Sequence, residues 1–190
     1  MKTMNLMIVG VGGQGSLLAS KLLGSLLVAE GYDVKVSEVH GMSQRGGSVV
    51  TYVRYGDKVC SPLVDTGEAD YIISFEKLEA ARYVDRLRPD GKIIVNTQQI
   101  DPMPVITGAA EYPGDILERY AAQGVQIDAI DALSLAEKAG SAKTVNIVLM
   151  GRLARYLDIP YEKWTAAIER SVKERFTAMN KEAFALGYNS

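Results

Sequence analysis

The sequence predicts an α/β fold, a doubly wound and mostly parallel sheet with an inserted β-hairpin and a helical C-terminus. Three observations carry this. The apolar run Leu6-Met7-Ile8-Val9 breaks into Gly10-Val11-Gly12-Gly13-Gln14-Gly15 and then into an apolar helical pattern, which reads as strand, glycine turn, helix. Short apolar runs recur at Ala69–Phe75, Lys92–Asn96 and Val125–Ile130, each followed by helix or loop, as in a buried parallel sheet. From Ala142 onward the pattern is helical, punctuated by Pro160 and Gly187.

The glycine turn comes first. Gly10, Gly12 and Gly15 fall at the G-x-G-x-x-G positions of a Rossmann-like turn, where absent side chains allow a tight bend and close approach to a ligand. Unpaired N–H groups and the positive end of the following helix would favour a phosphate or carboxylate there. The same spacing also serves close packing or a subunit contact. Leucines at 17, 18, 22, 23, 26 and 27 give the helix from about Ser16 to Glu30 a wide apolar stripe, and Gly31 stops it. Tyr32 to Val36 then alternates as a second strand, which predicts a βαβ unit with the first.

Glu38 ends that strand near where a nicotinamide-dinucleotide protein keeps its ribose-binding acid. A glycine-flanked polar loop, Val39 to Ser48, follows in place of the usual second helix, and it argues against that reading. Val49–Tyr55 and Lys58–Val64, with Gly56-Asp57 between them, predict the inserted hairpin. A charged helix is expected from about Glu76 to Leu87, closed by Pro89-Asp90-Gly91. Between Asp101 and Gly114 the prolines and glycines leave room only for a short edge strand at Val105–Thr107, then a short helix over Asp115–Gln123. Asp131 reads as the N-cap of a helix to Lys138; helices at Ala142–Leu157, Tyr161 to about Phe176 and Thr177–Leu186 complete the chain.

Composition narrows the chemistry. With 190 residues and 47% apolar content, one domain over residues 1–190 is expected. A net charge of -2, built from 21 basic and 23 acidic residues, gives no pull toward nucleic acid or anionic lipid. No apolar run is long enough for a membrane span and the start has no signal-peptide layout, so a cytoplasmic protein is expected. Cys60 is the only cysteine and His40 the only histidine, so neither an iron–sulfur cluster nor a histidine-rich metal site is expected on this chain. Gly15 is followed by Ser16 rather than lysine, against a triphosphate-binding loop, and no G-x-S-x-G elbow accompanies His40.

In an open parallel sheet ligands gather outside the carboxyl ends of the strands. That rule groups the glycine turn with Glu38 to Gly47, Phe75-Glu76 and Asn96-Thr97. Arg45, flanked by Gly46 and Gly47, is suited to gripping a phosphate or carboxylate, or else to pairing with Glu38 and ordering its own loop. His40 reads either as a proton donor and acceptor or as a structural loop residue. Asn146 and Trp164 read as packing or subunit-contact residues.

Taken together, Gly10-Val11-Gly12-Gly13-Gln14-Gly15, the run Ser37-Glu38-Val39-His40-Gly41-Met42-Ser43-Gln44-Arg45-Gly46-Gly47 and the closing segments Asn146–Gly151 and Asn180–Tyr188 resemble the gamma-type subunit of 2-oxoacid:ferredoxin oxidoreductases. The second motif is most similar to the indolepyruvate branch, whose reaction is oxidative decarboxylation of an arylpyruvate with coenzyme A. The resemblance implies no cofactor on this chain, thiamine diphosphate and iron–sulfur clusters on a large alpha partner subunit, coenzyme A as co-substrate, and ferredoxin reached through the complex. It implies a substrate, coenzyme A or anion site formed by Gly10, Gly12, Gly13, Gln14, Gly15, Glu38, Arg45, Gly46 and Gly47, with His40 the one candidate for proton transfer. A free-standing NAD- or flavin-dependent oxidoreductase and a structural scaffold with an empty turn are the competing readings.

Overall fold

The structure, a computed structural model, describes residues 3–40 and 47–190. Its centre is a six-stranded sheet of β1 (Met4–Val11), β2 (Asp33–His40), β3 (Ser48–Gly56), β4 (Ala69–Ser74), β5 (Leu87–Asn96) and β6 (Gln126–Ile130). The strand order is β2-β3-β1-β4-β5-β6, parallel between β1, β4, β5 and β6 and antiparallel where β3 meets β1 and β2. Leu6, Met7, Ile8 and Val9 are all fully buried because β1 has strands on both sides and cover on both faces.

The insertion differs from the expected hairpin. β3 pairs along its whole length with β1 on one side and β2 on the other, so β1 and β2 run in the same direction without touching. Residues 58–64 form no strand. The Asp33 carboxylate accepts from Val59 N–H at 2.8 Å, and Val64 is tucked into the core, so this segment is fastened by a side chain and a buried anchor instead of a ladder.

Helices cover the two faces unequally. On one face lie α1 (Ser16–Ala29), α5 (Ala132–Lys138), α6 (Val145–Ala154), α7 (Tyr161–Ser171) and α8 (Thr177–Asn189), packed over Leu6, Ile8, Val53, Ile73 and Ile94. The other face, with Met7, Val9, Val50, Ile72 and Val95, is covered by α2 (Lys77–Arg82) and α4 (Ile116–Ala122). The helix expected after Glu76 is shorter than its sequence pattern. α2 ends at Arg82, a 3-10 turn follows, and Pro89-Asp90-Gly91 lies inside β5 at an irregularity in its pairing with β4. Val105–Thr107 is not a strand. Pro102 and Pro104 start a single helical turn, α3 (Met103–Ile106), since proline suits the opening of a helix but cannot donate to a sheet.

α6 and α8 cross almost backbone to backbone. A Cβ on Gly151 would lie 2.2 Å from the Phe184 carbonyl oxygen, and one on Gly187 would lie 2.0 Å from that of Val148. Trp164 stacks on Phe184 with ring centroids 5.7 Å apart, which places the tryptophan in the core as a packing residue. No helix among the described residues is long and apolar enough to cross a membrane.

Candidate functional site at the carboxyl edge of the sheet

The glycine turn is knitted from side-chain amides. Gln14 accepts from Val11 N–H at 2.8 Å through Oε1 and donates through Nε2 to the Phe75 carbonyl at 3.1 Å. The fully buried Asn96 donates to that same carbonyl at 3.2 Å and accepts from Ala132 N–H at 3.1 Å. Gln14 and Asn96 therefore share one acceptor, the Phe75 carbonyl after β4, and their other ends tie it to the end of β1 and to the start of α5. Gly12 N–H donates to the Gly47 carbonyl at 2.8 Å, which brings the second motif's last glycine onto the turn. Behind it, the buried Asn146 donates to the Gly15 carbonyl at 3.2 Å.

The glycines have different reasons. At Gly10 a Cβ would lie 2.8 Å from Gln14 Oε1 and 2.9 Å from Phe75 Cβ, so this position is bare for packing. Gly15 has φ +87° and Asn146 at 3.0 Å, so both backbone and neighbour require it. Gly13 has φ +101°, yet nothing lies within 4 Å of its Cβ position. Its open side faces a cleft of about 490 Å³, walled by the turn, by Gln98 and Ile100 beyond β5, and by Leu133 and Asn146. Lys143, in the 3-10 turn before α6, lines the same cleft and is exposed. Among the described residues no side chain caps the amino end of α1, and Gly15 and Leu18 at that end line this space. The lining thus includes glycine backbone, a helix terminus and a lysine.

The other predicted residues are placed as follows. Glu38 stands level with Thr51 on β3 and, through it, with Ile8 on β1, two strand spacings or about 10 Å from the first strand. In a dinucleotide fold the acid ends the strand adjacent to the glycine turn, so the inserted β3 removes that juxtaposition. His40 closes β2 opposite Val49, with its side chain outside the description. Arg45 and Gly46 lie outside the described residues. Lys143 and Gln98 escaped the sequence reading because nothing local marks them. Asn146 was legible as a packing residue, not as the support of Gly15.

Beside the turn, Glu76 caps α2 by accepting from Glu79 N–H at 2.9 Å. Its other oxygen accepts from Ile100 N–H at 3.2 Å and from the Tyr112 hydroxyl. Burial, with the Glu76 carboxylate behind it, pushes the Tyr112 hydroxyl well above its ordinary range. Burial likewise raises the Glu79 carboxyl, against the hydrogen bonds it accepts from Ser48 and Arg82. No group of three or more His, Cys, Asp or Glu among the described residues is arranged to hold a metal ion, and the lone Cys60 is exposed. The residues present do not fit an iron–sulfur cluster.

Asn146→Ala is expected to lower stability by about 1–2 kcal/mol in urea unfolding, because a buried amide and its bond to Gly15 disappear while α1 keeps its other bonds to that carbonyl.

Comparison with known proteins gives one answer. The indolepyruvate oxidoreductase subunit IorB of Thermococcus kodakarensis is 43% identical over 192 residues, covering 98% of this chain and 95% of that protein. Pyruvate oxidoreductase subunit PORC of Thermotoga maritima superposes with a TM-score of 0.75 at 21% identity, covering 100% of this chain and 97% of that one. The 2-oxoglutarate:ferredoxin oxidoreductase of Magnetococcus marinus, solved with 2-oxoglutarate, coenzyme A and succinyl-CoA, gives a TM-score of 0.75 at 18% identity; there the likeness spans all of this chain but 31% of the longer one. Residues 5–190 match the pyruvate ferredoxin/flavodoxin oxidoreductase family, and this chain belongs to it.

Proposed function

We propose that this chain is the small subunit of an indolepyruvate-type 2-oxoacid:ferredoxin oxidoreductase, folded as one gamma-type domain over residues 1–190. The observation that carries the reading is the 43% identity to an indolepyruvate oxidoreductase subunit over nearly the full length of both chains. The complex would convert an arylpyruvate and coenzyme A to the arylacetyl-CoA and carbon dioxide, passing two electrons to ferredoxin. Thiamine diphosphate and iron–sulfur clusters are assigned to a large partner subunit, in keeping with a chain that has one cysteine. The NAD or flavin reading is not carried forward, since Glu38 lies a strand too far from the turn to serve a ribose there.

The chain's own part is to hold an anion and position it for chemistry housed next door. The cleft lined by Gly13, Gln14, Gly15 and Lys143, next to Gly12, suits a phosphate of coenzyme A or a substrate carboxylate. Arg45 and Gly46, next in sequence to the Gly47 carbonyl that meets Gly12, are proposed to act on the same anion. Gly10 supports the turn from behind. Glu38 and His40 sit at the adjoining strand end.

The test is reconstitution. The isolated chain should neither turn over indolepyruvate nor bind NAD(H) or flavin, whereas the chain mixed with its large partner should reduce ferredoxin when both indolepyruvate and coenzyme A are present. In that complex Lys143→Ala should raise KM for coenzyme A about tenfold with kcat nearly unchanged, the loss of one charged hydrogen bond. Arg45→Ala should act in the same direction. Turnover by the chain alone would overturn the subunit reading; unchanged KM values in both variants would leave the cleft without its assigned ligand.

A further inference from the structure

Residues 97–115, between β5 and α4, form a connection longer than compact domains ordinarily use, and loops of this length without much regular structure are usually functional. This one is held at both feet. Ile100 N–H and the Tyr112 hydroxyl both bind the buried Glu76 carboxylate, and Leu78 N–H donates to Tyr112 at 3.1 Å. Between the feet the loop bonds to itself. Thr107 N–H donates to Met103 at 2.9 Å, and Ala109 and Ala110 N–H both donate to Pro104, at 2.8 and 3.0 Å. The tip is therefore preorganised, and it presents Met103 and Ile106, each 65% exposed, one helical turn apart on the same side. Two large apolar side chains set on a fixed turn are what an interface anchor requires.

The charge around the tip says what kind of surface it meets. From Ile93 to Glu118 the sequence carries Asp101, Glu111, Asp115 and Glu118 and no lysine, arginine or histidine. Asp115 pairs with Arg119 at 3.9 Å and Lys77 lies over the Tyr112 ring at 5.5 Å, which leaves the exposed Asp101 and Glu111 as the acids nearest the tip. Under the turn runs a groove of about 450 Å³ with Leu78, Ile100 and Met103 along its walls and Glu76, Glu79 and Asp101 among its carboxylates. Arg82, bound to Glu79 at 3.0 Å, is the one cation lining it among the described residues. Glu76 and Glu79 are buried and already bonded, so the exposed Asp101 is the carboxylate at the groove's mouth. Apolar walls leading to it suit a lysine or arginine whose stem packs while its charged end reaches that acid. Two such loops from two copies of this chain would repel each other.

We propose that the Met103–Ile106 turn is a docking arm for the large partner subunit, which meets it with an apolar surface rimmed by lysine or arginine. The inference rests on the subunit reading above and goes beyond it in naming the surface and the chemistry of its partner. Met103 and Ile106 enter the partner's apolar patch, and a basic side chain of the partner lies in the groove below.

The experiment measures binding of the full chain to its large subunit at low and high salt. Wild type should bind, more weakly as salt rises. Met103→Ser/Ile106→Ser, which changes only exposed side chains, should keep the wild-type unfolding temperature yet weaken binding at least tenfold. Asp101→Lys/Glu111→Lys should weaken it too and flatten the salt dependence, and Val28→Ser, on exposed α1 surface, should change nothing. Wild-type affinity in the Met103/Ile106 variant overturns the docking arm while leaving the subunit reading intact; failure of wild type to bind the large subunit overturns the subunit reading itself. If the isolated chain sediments as a dimer that the Met103/Ile106 variant breaks, the partner assignment is overturned in favour of a second copy.

Discussion

Replacing either Gly151 or Gly187 with alanine should destabilise the protein by about 4 kcal/mol, seen as a fall of roughly 10 °C in the unfolding temperature. Alanine is intrinsically the better helix residue by about 1 kcal/mol, so the helices themselves would gain. The loss comes from the crossing of α6 and α8, where the new methyl groups would sit 2.2 Å and 2.0 Å from carbonyl oxygens of the facing helix. Backbone cannot rotate aside as a side chain can. The helices would have to separate, opening space beside Phe184, Val148 and Leu149, all fully buried. Because one separation relieves both clashes, the double variant should cost less than the sum of the two. Gly24 in α1 provides the contrast. Its Cβ would meet Val36 Cγ2 at an ordinary 3.6 Å, so Gly24→Ala should stabilise by about 0.5–1 kcal/mol. Opposite signs for the same substitution in three helices would be read directly from urea midpoints.

The second large effect is expected at Asp128. Its carboxylate takes a bidentate pair from Arg152 at 2.7 and 2.7 Å and a third bond from the Tyr156 hydroxyl at 2.6 Å. Asp128→Ala should cost about 3–5 kcal/mol, because it takes the acceptor from Nε and Nη2 of a largely buried guanidinium, which keeps only the Nη1 contact to Ser190, and from the Tyr156 phenol. The pH dependence follows from the direction of the shift. Burial by itself would raise the Asp128 carboxyl, but the bonds from Arg152 and Tyr156 outweigh it and hold the group below its ordinary value. A depressed carboxyl gives stability that is present above its unfolded value, near pH 4, and is lost as pH falls through the folded one. Asp128→Asn should therefore differ from wild type most at neutral pH, with the gap closing in acid below about pH 4. A gap independent of pH would show that shape rather than charge holds this contact.

How far the sequence reveals the structure depends on the range over which each feature is decided. The glycine turn, α1, the strands at 69–74 and 126–130 and the Asp131 cap were legible, because each rests on neighbours within a few residues; Asp131 does accept from Ser134 N–H at 3.0 Å. The partner of β3 was not. Val49–Tyr55 alternates well enough to announce a strand, but nothing in it states that the neighbours are β1 and β2 and not the next segment. Likewise Val105–Thr107 has strand-forming residues, and only the prolines before it betray a helical turn. The paired glycine motifs were legible as belonging together, and the Gly12–Gly47 bond joins them. Lys143 reaches the cleft across more than a hundred residues of chain, and no local pattern records such an approach.

The interleaving of β3 has a consequence for when the chain becomes competent. β1 is translated first, yet its flanks are filled by strands that begin at residues 48 and 69, and the Phe75 carbonyl that steadies Gln14 arrives later still. Gly15 is then braced by Asn146, from the last third of the polypeptide. Closing loops of that span is slow and entropically opposed until the whole sheet condenses. A half-made or partly unfolded copy therefore carries the glycine motif as mere sequence, and only a finished molecule holds the turn in shape.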